Sequence, residues 1–189
     1  MDYLLTFAEN QQLETERLHL RPVTLADTDD LFEYASDEET TRFVFPKNET
    51  KEETRASIAK YFMKEPFGKY GIELKETGKM IGTIDLRVNE EHRNAEIGYV
   101  LNRAFWRKGY MVEAAEALLK LGFEKMDLIR IWAYHDSENP ASGRVMEKLG
   151  FKLEGTKRNS RIFKGKIVTD ISRGILVEEW RQQRQKEVN

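Results

Sequence analysis

Cysteine is absent from this sequence of 189 residues. Its absence excludes disulfide bonds, thiolate metal sites and a cysteine nucleophile, and it is typical of a protein from a reducing compartment. The three histidines, His19, His92 and His135, are dispersed and do not have the spacing of metal ligands. We therefore expect a cytoplasmic protein whose site holds no metal ion.

Long apolar runs and an excess of basic residues are also missing. No stretch approaches the roughly 20 apolar residues that a membrane span requires, and the first residues, with an acid at Asp2, do not resemble a signal peptide. A net charge of −2 argues against nucleic acid as a partner. The length and a composition of 40% apolar and 34% charged residues predict a single globular domain over residues 1–189, with no membrane partner.

What the sequence does contain is an ordered series of strand and helix patterns. Alternating residues predict strands near residues 17–21, 69–75, 79–88, 93–101, 129–135, 151–164 and 166–177. Helices are predicted after caps at Thr24, Thr50 and Asn139, and from Gly109 to Met126, with a charged helical tail at the end. This order predicts an α/β domain with an antiparallel front and a strand-helix-strand crossover behind.

The stretch FWRKGYMVEA, Phe105 to Ala114, joins a predicted strand to the strongest predicted helix. A helix N-terminus leaves about four backbone N–H groups unpartnered and carries roughly half a positive charge, so it binds phosphate. Gly109 lets the backbone approach a ligand, and Arg107 and Lys108 add positive charge. On these residues alone, a basic connection whose glycine serves its backbone angles explains the stretch equally well.

A second stretch, NPASGRVMEKLGF, predicts a helix that begins at Asn139 and Pro140 and ends at Gly150. Helical spacing places Asn139, Ser142 and Met146 on one face. It places an apolar stripe beside that face, made of Ala141, Val145 and Leu149. An asparagine-proline helix start is common, so the cap alone assigns no function.

Together with ETERLHLRPVTLADTDDLF, which begins at Glu14, and IGTIDL, which begins at Ile81, these stretches resemble the GNAT superfamily of acetyl-CoA-dependent N-acetyltransferases. The resemblance covers a core from about Leu13 to Trp180 and is strongest to the branch that acetylates ribosomal-protein N-termini. It implies the GNAT fold: a central mixed, mostly antiparallel twisted sheet, flanked by helices and splayed near Gly98 to admit acetyl-CoA.

The resemblance also implies the residues that bind acetyl-CoA. Amides from Arg107 to Val112 would hold its pyrophosphate, Tyr99 to Leu101 would pair with its pantetheine arm, and Asn139 would contact pantetheine. Two positions depart from the family motif, because Trp106 replaces Gln or Arg and Met111 replaces Gly or Ala and is expected to crowd the backbone slightly. The implied ligand residues are Tyr99, Val100, Leu101, Arg107, Lys108, Gly109, Tyr110, Met111, Val112 and Asn139.

The catalytic residues follow from the same resemblance. Met146 stands where many members carry a tyrosine that protonates the leaving thiolate, so Ser142, one turn earlier, is the candidate general acid. Glu96 on the central strand is the candidate base, and an ion pair of structural importance is its alternative role. Asp85 on the neighbouring strand is a weaker candidate.

The expected reaction is transfer of acetyl from acetyl-CoA to a primary amine by direct attack in a ternary complex. The preferred acceptor is a protein N-terminus, such as that of a ribosomal protein. The alternatives are a small amine (a polyamine, an amino acid or an aminoglycoside) and a non-catalytic CoA-binding sensor. The sequence does not fix the oligomeric state, for which a homodimer is one alternative. Seven acids between Thr24 and Thr40 either attract a basic acceptor or form a solvated helical face.

Overall fold

The computed structural model describes Asp2 to Val188, with side chains as far as Lys186; Met1 and Asn189, at the ends of the predicted domain, lie outside the described residues. The helices are α1 (Tyr3–Glu9), α2 (Thr28–Ala35), α3 (Glu38–Thr41), α4 (Lys51–Ser57), α5 (Tyr110–Lys120), α6 (Pro140–Lys148) and α7 (Val177–Val188). The strands are β1 (Leu13–Glu14), β2 (Leu18–Arg21), β3 (Lys69–Leu74), β4 (Met80–Asn89), β5 (Asn94–Leu101), β6 (Arg130–Asp136), β7 (Lys152–Phe163) and β8 (Lys166–Leu176).

The strands form an eight-stranded sheet in the order β1-β2-β3-β4-β5-β6-β8-β7. The pairs β1-β2, β2-β3, β3-β4, β6-β8 and β7-β8 are antiparallel. Strands β5 and β6 are parallel, with a register that runs from Asn94↔Arg130 to Glu96↔Trp132, and α5 makes the crossover between them. This mixed sheet with flanking helices confirms the predicted fold class, whereas the splay near Gly98 stays a prediction.

The chain divides into two compact units. The first unit contains Asp2–Leu86 and Gly98–Ala117, and the second contains Arg87–Ile97 and the described residues from Leu118 onward. Strands β4 and β5 contribute residues to both. No helix among residues 2–188 has the length and apolar character needed to cross a membrane.

The first unit has a core that α2 and α4 help to fill. Residues Leu31, Tyr34 and Ala35 face inward because helical spacing puts positions three and four apart on one side of α2. The other buried members of this cluster are Val23, Ile58, Met80 and Val100. Residue Ile58 lies where α4 continues as a π-helical turn, Ile58–Met63.

The predicted caps at Thr24 and Thr50 are confirmed. The Thr24 hydroxyl accepts a hydrogen bond from the N–H of Ala26, and it begins a 3₁₀ turn, Leu25–Asp27, which leads into α2. The Thr50 hydroxyl accepts from the N–H of Glu53 at 3.1 Å and begins α4. These local contacts explain why both helices begin where the sequence indicates.

Asp27 ties the start of this helical segment to β2. Its Oδ2 accepts from the Thr24 N–H at 2.7 Å, while Arg21 donates from Nη2 to Oδ1 at 2.7 Å and from Nη1 to Oδ2 at 3.0 Å. The Asp27 side chain is only 6% exposed. Burial acts to raise the pKa of Asp27, but the hydrogen bonds from Arg21 and Thr24 outweigh it and hold that pKa below its ordinary value.

The second unit is built on the hairpin of β7 and β8. Lys164 and Gly165, at the turn, have φ of 48° and 76°, so the predicted junction around Gly165 is confirmed. Strand β8 pairs with β6 from Arg130↔Leu176 to Asp136↔Asp170. Phe123 and Trp180 pack with ring centroids 5.4 Å apart.

The sequence patterns did not predict α1 or β1, which both lie in the first unit.

We expect Asp27→Asn to lower the free energy of unfolding by about 2 kcal/mol at pH 7, because it removes the more buried of the two carboxylates, Asp27 and Glu73, that pair with the Arg21 guanidinium. Since the folded-state pKa of Asp27 lies below its unfolded value near 3.9, its contribution is complete above that value and disappears as the pH falls through the folded-state pKa. Urea unfolding between pH 7 and pH 3 checks both statements, and the two proteins should converge in acid.

The matched control for this change is Asp29→Asn, which removes an exposed carboxylate paired with Lys51. It should cost less than about 0.5 kcal/mol, because exposed ion pairs contribute little. Equal losses for the two variants would contradict the importance of the buried pair.

Candidate active site

The β5–α5 loop, residues 102–109, begins at Asn102, whose backbone and side chain both make hydrogen bonds. The Asn102 N–H donates to the Ile81 carbonyl at 2.8 Å, and its Nδ2 donates to Glu33 Oε1 at 2.8 Å. Its Oδ1 accepts from the Ala104 N–H at 3.0 Å and begins a short 3₁₀ turn, Arg103–Phe105. The side chain is buried, so the loop leaves the sheet at a defined point.

Trp106, in the middle of the loop, is hydrogen-bonded back to the end of β5. Its indole N–H donates to the Leu101 carbonyl at 2.7 Å. This contact gives a structural role to one of the two departures from the family motif. It also engages one lone pair of a carbonyl that was predicted to pair with pantetheine.

The second half of the β5–α5 loop has a left-handed backbone at two positions. Arg107 has φ of 63° and Gly109 has φ of 84°, and α5 begins directly afterwards. Only glycine adopts such angles without strain, so the observed φ explains Gly109, while Arg107 carries strain at an exposed turn. A Cβ atom on Gly109 would lie 3.3 Å from Arg17 Nη2, so the glycine also leaves room for that guanidinium.

The side chains at this helix start divide into exposed cations and a buried apolar residue. Arg107 and Lys108 are exposed, and Lys108 Nζ lies 5.2 Å from the centroid of the Phe105 ring. Met111 is buried, with 5% exposed. Its side chain therefore packs in the interior and is not presented at the surface of the loop, and the slight crowding of the backbone stays a prediction.

Three residues that the sequence analysis did not assign to the site hold the start of α5. Glu113 Oε1 accepts from the Thr15 hydroxyl at 2.6 Å and from the Arg17 N–H at 2.8 Å. Glu113 Oε2 accepts from Arg17 Nε at 2.7 Å. Burial acts to raise the pKa of Glu113, but these hydrogen bonds and the Arg17 charge hold it below its ordinary value. Both Thr15 and Arg17 lie in a stretch that resembles the family, but no local pattern indicates their partner.

In the second unit, Asn139 caps α6 as predicted. Its Oδ1 accepts from the Ser142 N–H at 3.3 Å, and Pro140 occupies the first turn. Ser142 is half-buried, whereas Met146 is only 2% exposed. In the predicted apolar stripe, Ala141 is exposed, Val145 is half-buried and Leu149 is buried. The helix buries Gly143 and Met146, and Leu149 follows them at its end.

The two candidate bases both have partners. Glu96 Oε1 accepts from Arg87 Nη2 at 2.6 Å, so Glu96 takes part in the ion pair that was the alternative to catalysis. Asp85 Oδ2 accepts from the Tyr61 hydroxyl at 2.8 Å. One oxygen of each candidate base is therefore already engaged by a neighbouring side chain.

Most of the acids between Thr24 and Thr40 are paired with basic side chains. Five of the seven pair with cations elsewhere in the first unit: Asp27 with Arg21, Asp29 with Lys51, Asp30 and Glu33 with Lys79, and Asp37 with Arg103. Much of the negative charge of this region is therefore compensated within the unit.

The first unit brings together the predicted residues from Tyr99 to Val112, and the second unit contains Glu96, Asn139 and Ser142. Within the described part of the chain, no group of three or more His, Asp or Glu side chains is arranged to hold a metal ion. The groups available for chemistry are the backbone N–H groups at a helix start, two carboxylates and a hydroxyl.

Comparison with known proteins gives a family match. A family model described as an acetyltransferase (GNAT) domain matches residues 17–152. The uncharacterized N-acetyltransferase p20 of Bacillus licheniformis is 33% identical, over 90% of this chain and 98% of its own. A crystal structure of a GNAT-family acetyltransferase from Bacillus anthracis has a TM-score of 0.81 and 32% identity, over 89% of this chain and 99% of that one.

Two relatives with shorter matches have names that state an acceptor. YdaF of Bacillus subtilis, named as a candidate ribosomal N-acetyltransferase, is 32% identical over 58% of this chain and 62% of its own. Spermidine N(1)-acetyltransferase of Escherichia coli is 25% identical over 54% of this chain and 65% of its own. The names point to different classes of amine.

Proposed function

Because this chain belongs to the acetyltransferase (GNAT) family and is an acetyl-CoA-dependent N-acetyltransferase, we propose that it acetylates the α-amine of a protein N-terminus, such as that of a ribosomal protein. The amine attacks directly in a ternary complex, with no acyl-enzyme. The observation that carries this choice of acceptor is the ion pair between Glu96 and Arg87, which occupies one oxygen of the candidate base.

The acceptor argument rests on the cost of deprotonating the amine. An α-amine with a pKa of about 7.7 is roughly one-sixth neutral at pH 7, so its deprotonation costs about 1 kcal/mol. A lysine-like amine with a pKa of about 10.4 costs about 4.6 kcal/mol. An enzyme whose candidate base is already engaged by a cation therefore suits an α-amine, and it works mainly by positioning the amine against the thioester.

The proposed donor site is the β5–α5 loop and the start of α5. Amides from Arg107 to Val112 hold the pyrophosphate, and Lys108 and Arg107 supply positive charge beside it. The left-handed backbone at Arg107 and Gly109 supports this fit, because alternating backbone angles turn successive N–H groups towards one side. Backbone groups of Tyr99, Val100 and Leu101 and the side chain of Asn139 hold the pantetheine arm in this proposal.

When bound, acetyl-CoA supplies the acetyl group as a thioester. In the proposed reaction Glu96 accepts the proton that the attacking amine loses, directly or through water, and Ser142 gives a proton to the leaving sulfur. Ser142 is half-buried and follows the Asn139 cap by three residues, which supports its choice over the buried Met146.

The main alternative is a small amine such as a polyamine, an amino acid or an aminoglycoside. The name of the spermidine relative favours it, and the name of YdaF favours a ribosomal acceptor. A polyamine carries several positive charges and is bound best by uncompensated carboxylates. Most acids of the 24–40 region are already paired, which supports the protein N-terminus.

We further propose that residues 1–189 act as a single acetyltransferase domain in the cytoplasm. The partners in this proposal are acetyl-CoA and the amine acceptor, without nucleic acid, membrane or metal. A homodimer stays a proposal, to be checked by light scattering.

An acceptor screen tests the proposed function. Purified protein with acetyl-CoA should release free thiol fastest with peptides of near-neutral charge that begin with Ala or Ser, because their α-amines are partly neutral at pH 7. The comparison amine is spermidine at equal concentration, and an Nα-acetylated copy of the peptide serves as the matched control. Faster turnover of spermidine would overturn the preferred acceptor, and binding of CoA without turnover of any amine would contradict an active enzyme.

The donor site is tested with Gly109→Glu, which adds a carboxylate where the pyrophosphate is proposed to bind. We expect CoA affinity to fall at least about 100-fold by titration calorimetry, because one added charge at a helix N-terminus opposes a second anion. Gly78→Glu is the matched control, since Gly78 also has a left-handed φ, of 68°, with open space around it. Wild-type CoA affinity in folded Gly109→Glu protein would refute the proposed donor site.

The catalytic assignment is tested with Glu96→Gln. If Glu96 is the base, kcat should fall about sixfold at pH 7, the share of the α-amine that is neutral there, and it should recover towards pH 9, where the α-amine of the acceptor loses its proton without help. The change in kcat with pH is the measurement.

The control for this variant is Arg87→Gln, which breaks the same ion pair but keeps the carboxylate. Equal losses in Arg87→Gln and Glu96→Gln would show that the ion pair, and not a basic role of Glu96, is what catalysis requires.

The proposed general acid is tested with Ser142→Ala, which should lower kcat by about 100-fold with little change in KM for acetyl-CoA. A wild-type kcat would remove Ser142 from the mechanism.

A further inference from the structure

Arg17 links the segment before β2 to both the β5–α5 loop and the first turn of α5. Its Nη1 donates to the Lys108 carbonyl at 3.0 Å, and its Nε donates to Glu113 Oε2 at 2.7 Å. Its guanidinium also lies over the Tyr110 ring, 4.5 Å from the centroid. One side chain therefore contacts three successive parts of the helix start.

The contact with Lys108 fixes the direction of a backbone N–H group. A peptide bond is planar and trans, so the carbonyl of Lys108 and the N–H of Gly109 point in opposite directions. Since Arg17 holds the Lys108 oxygen, the Gly109 N–H points away from Arg17. If the peptide rotated by half a turn, a carbonyl oxygen would replace the N–H there and would repel an anion.

The guanidinium is better suited to this contact than to binding an anion itself. Glu113 compensates its charge at Oε2, which lies 2.6 Å from Nη2 in an ion pair and accepts a hydrogen bond from Nε at 2.7 Å. Glu113 is held in turn by the Thr15 hydroxyl and the Arg17 N–H, and its side chain is only 16% exposed. Charge compensation lowers the attraction for a phosphate, whereas the rigid fork of arginine holds two acceptors at a fixed separation.

We propose that Arg17 is a positioning residue for acetyl-CoA, which, held by Glu113, keeps the Lys108 peptide in the orientation that directs the Gly109 N–H to the pyrophosphate. This inference rests on the proposed function, in which the β5–α5 loop binds the pyrophosphate. It gives a role to the ETERL stretch, which the proposed reaction does not use.

Arg17→Gln tests the proposal, with three measurements on the full chain. We expect the Kd for CoA and the KM for acetyl-CoA to rise about tenfold, with kcat changed less than about twofold, because binding is weakened and chemistry is not. In the complex with CoA, hydrogen exchange at the Gly109 amide should become faster than in the wild type, because the pyrophosphate holds that N–H less firmly. Arg42→Gln is the matched control, since Arg42 is also an exposed cation over an aromatic ring, that of Phe43 at 5.0 Å.

Arg17→Lys separates positioning from charge. Lysine keeps the positive charge but cannot hold Glu113 and the Lys108 carbonyl with one planar fork, so most of the tenfold loss should remain. Full recovery of CoA affinity in Arg17→Lys would overturn the proposal in favour of simple electrostatic attraction.

Arg17→Gln leaves the Glu113 carboxylate without its cation, so a loss of CoA affinity could also come from a destabilised fold. A double variant separates these two causes. Arg17→Gln/Glu113→Gln removes that charge as well, and it should stay folded, with an unfolding transition no lower than that of Arg17→Gln, while losing CoA affinity about tenfold. Wild-type affinity in this folded double variant would overturn the proposal.

The outcomes also separate this inference from the proposed function. If Gly109→Glu abolishes CoA binding but Arg17→Gln binds CoA as Arg42→Gln does, the donor site stands and the positioning role of Arg17 fails. If Gly109→Glu retains wild-type affinity, the donor site fails, and the role of Arg17 in binding fails with it.

Discussion

The carboxylate of Glu113 is the contact on which the start of α5 depends. Both of its oxygens are used, by the Thr15 hydroxyl, the Arg17 N–H and the Arg17 guanidinium. These hydrogen bonds join the first turn of a helix to a segment 96 residues earlier in the chain. Charge-assisted bonds of this kind are short and directional, so they define where the helix begins and how its first peptides are turned. Asn102 and Trp106 hold the preceding loop at its other end. Between these anchors, Arg107 and Gly109 carry the left-handed backbone, and the strain there is maintained by well-held neighbours.

The features that the sequence predicted correctly are those decided within a few residues. Caps at Thr24, Thr50 and Asn139 and the turn at Gly165 depend on contacts between positions two to four apart, so their residue types were sufficient signals. The segment before β2 gave no such signal, because α1 is short and β1 has two residues. The ion-pair partners could not be predicted from the sequence, for a different reason. With 31 basic and 33 acidic residues, composition alone allows many pairings, and only the fold selects Arg17 for Glu113 or Arg87 for Glu96.

The same limit explains what the sequence left open at the candidate catalytic residues. A glutamate on a strand is a base or an ion-pair partner according to what faces it, and Arg87 faces Glu96. Helical spacing put Ser142 and Met146 on one face, but it did not show that Met146 is buried while Ala141 is exposed. A hydroxyl at the buried position 146 would need a hydrogen-bond partner inside the protein, which a thioether does not. A methionine at this position therefore suits packing, and any acid must come from another side chain.

The distribution of charge, and not its total, favours the class of acceptor. The chain has a net charge of −2, yet five acids of the 24–40 region are already paired within the first unit. Paired carboxylates attract a polycation weakly, because each nearby cation offsets their field. An acceptor with one α-amine, which is already partly neutral at pH 7, needs neither a strongly acidic surface nor a strong base. The ion-paired Glu96 and the compensated acids thus favour the same kind of substrate, by two independent physical effects.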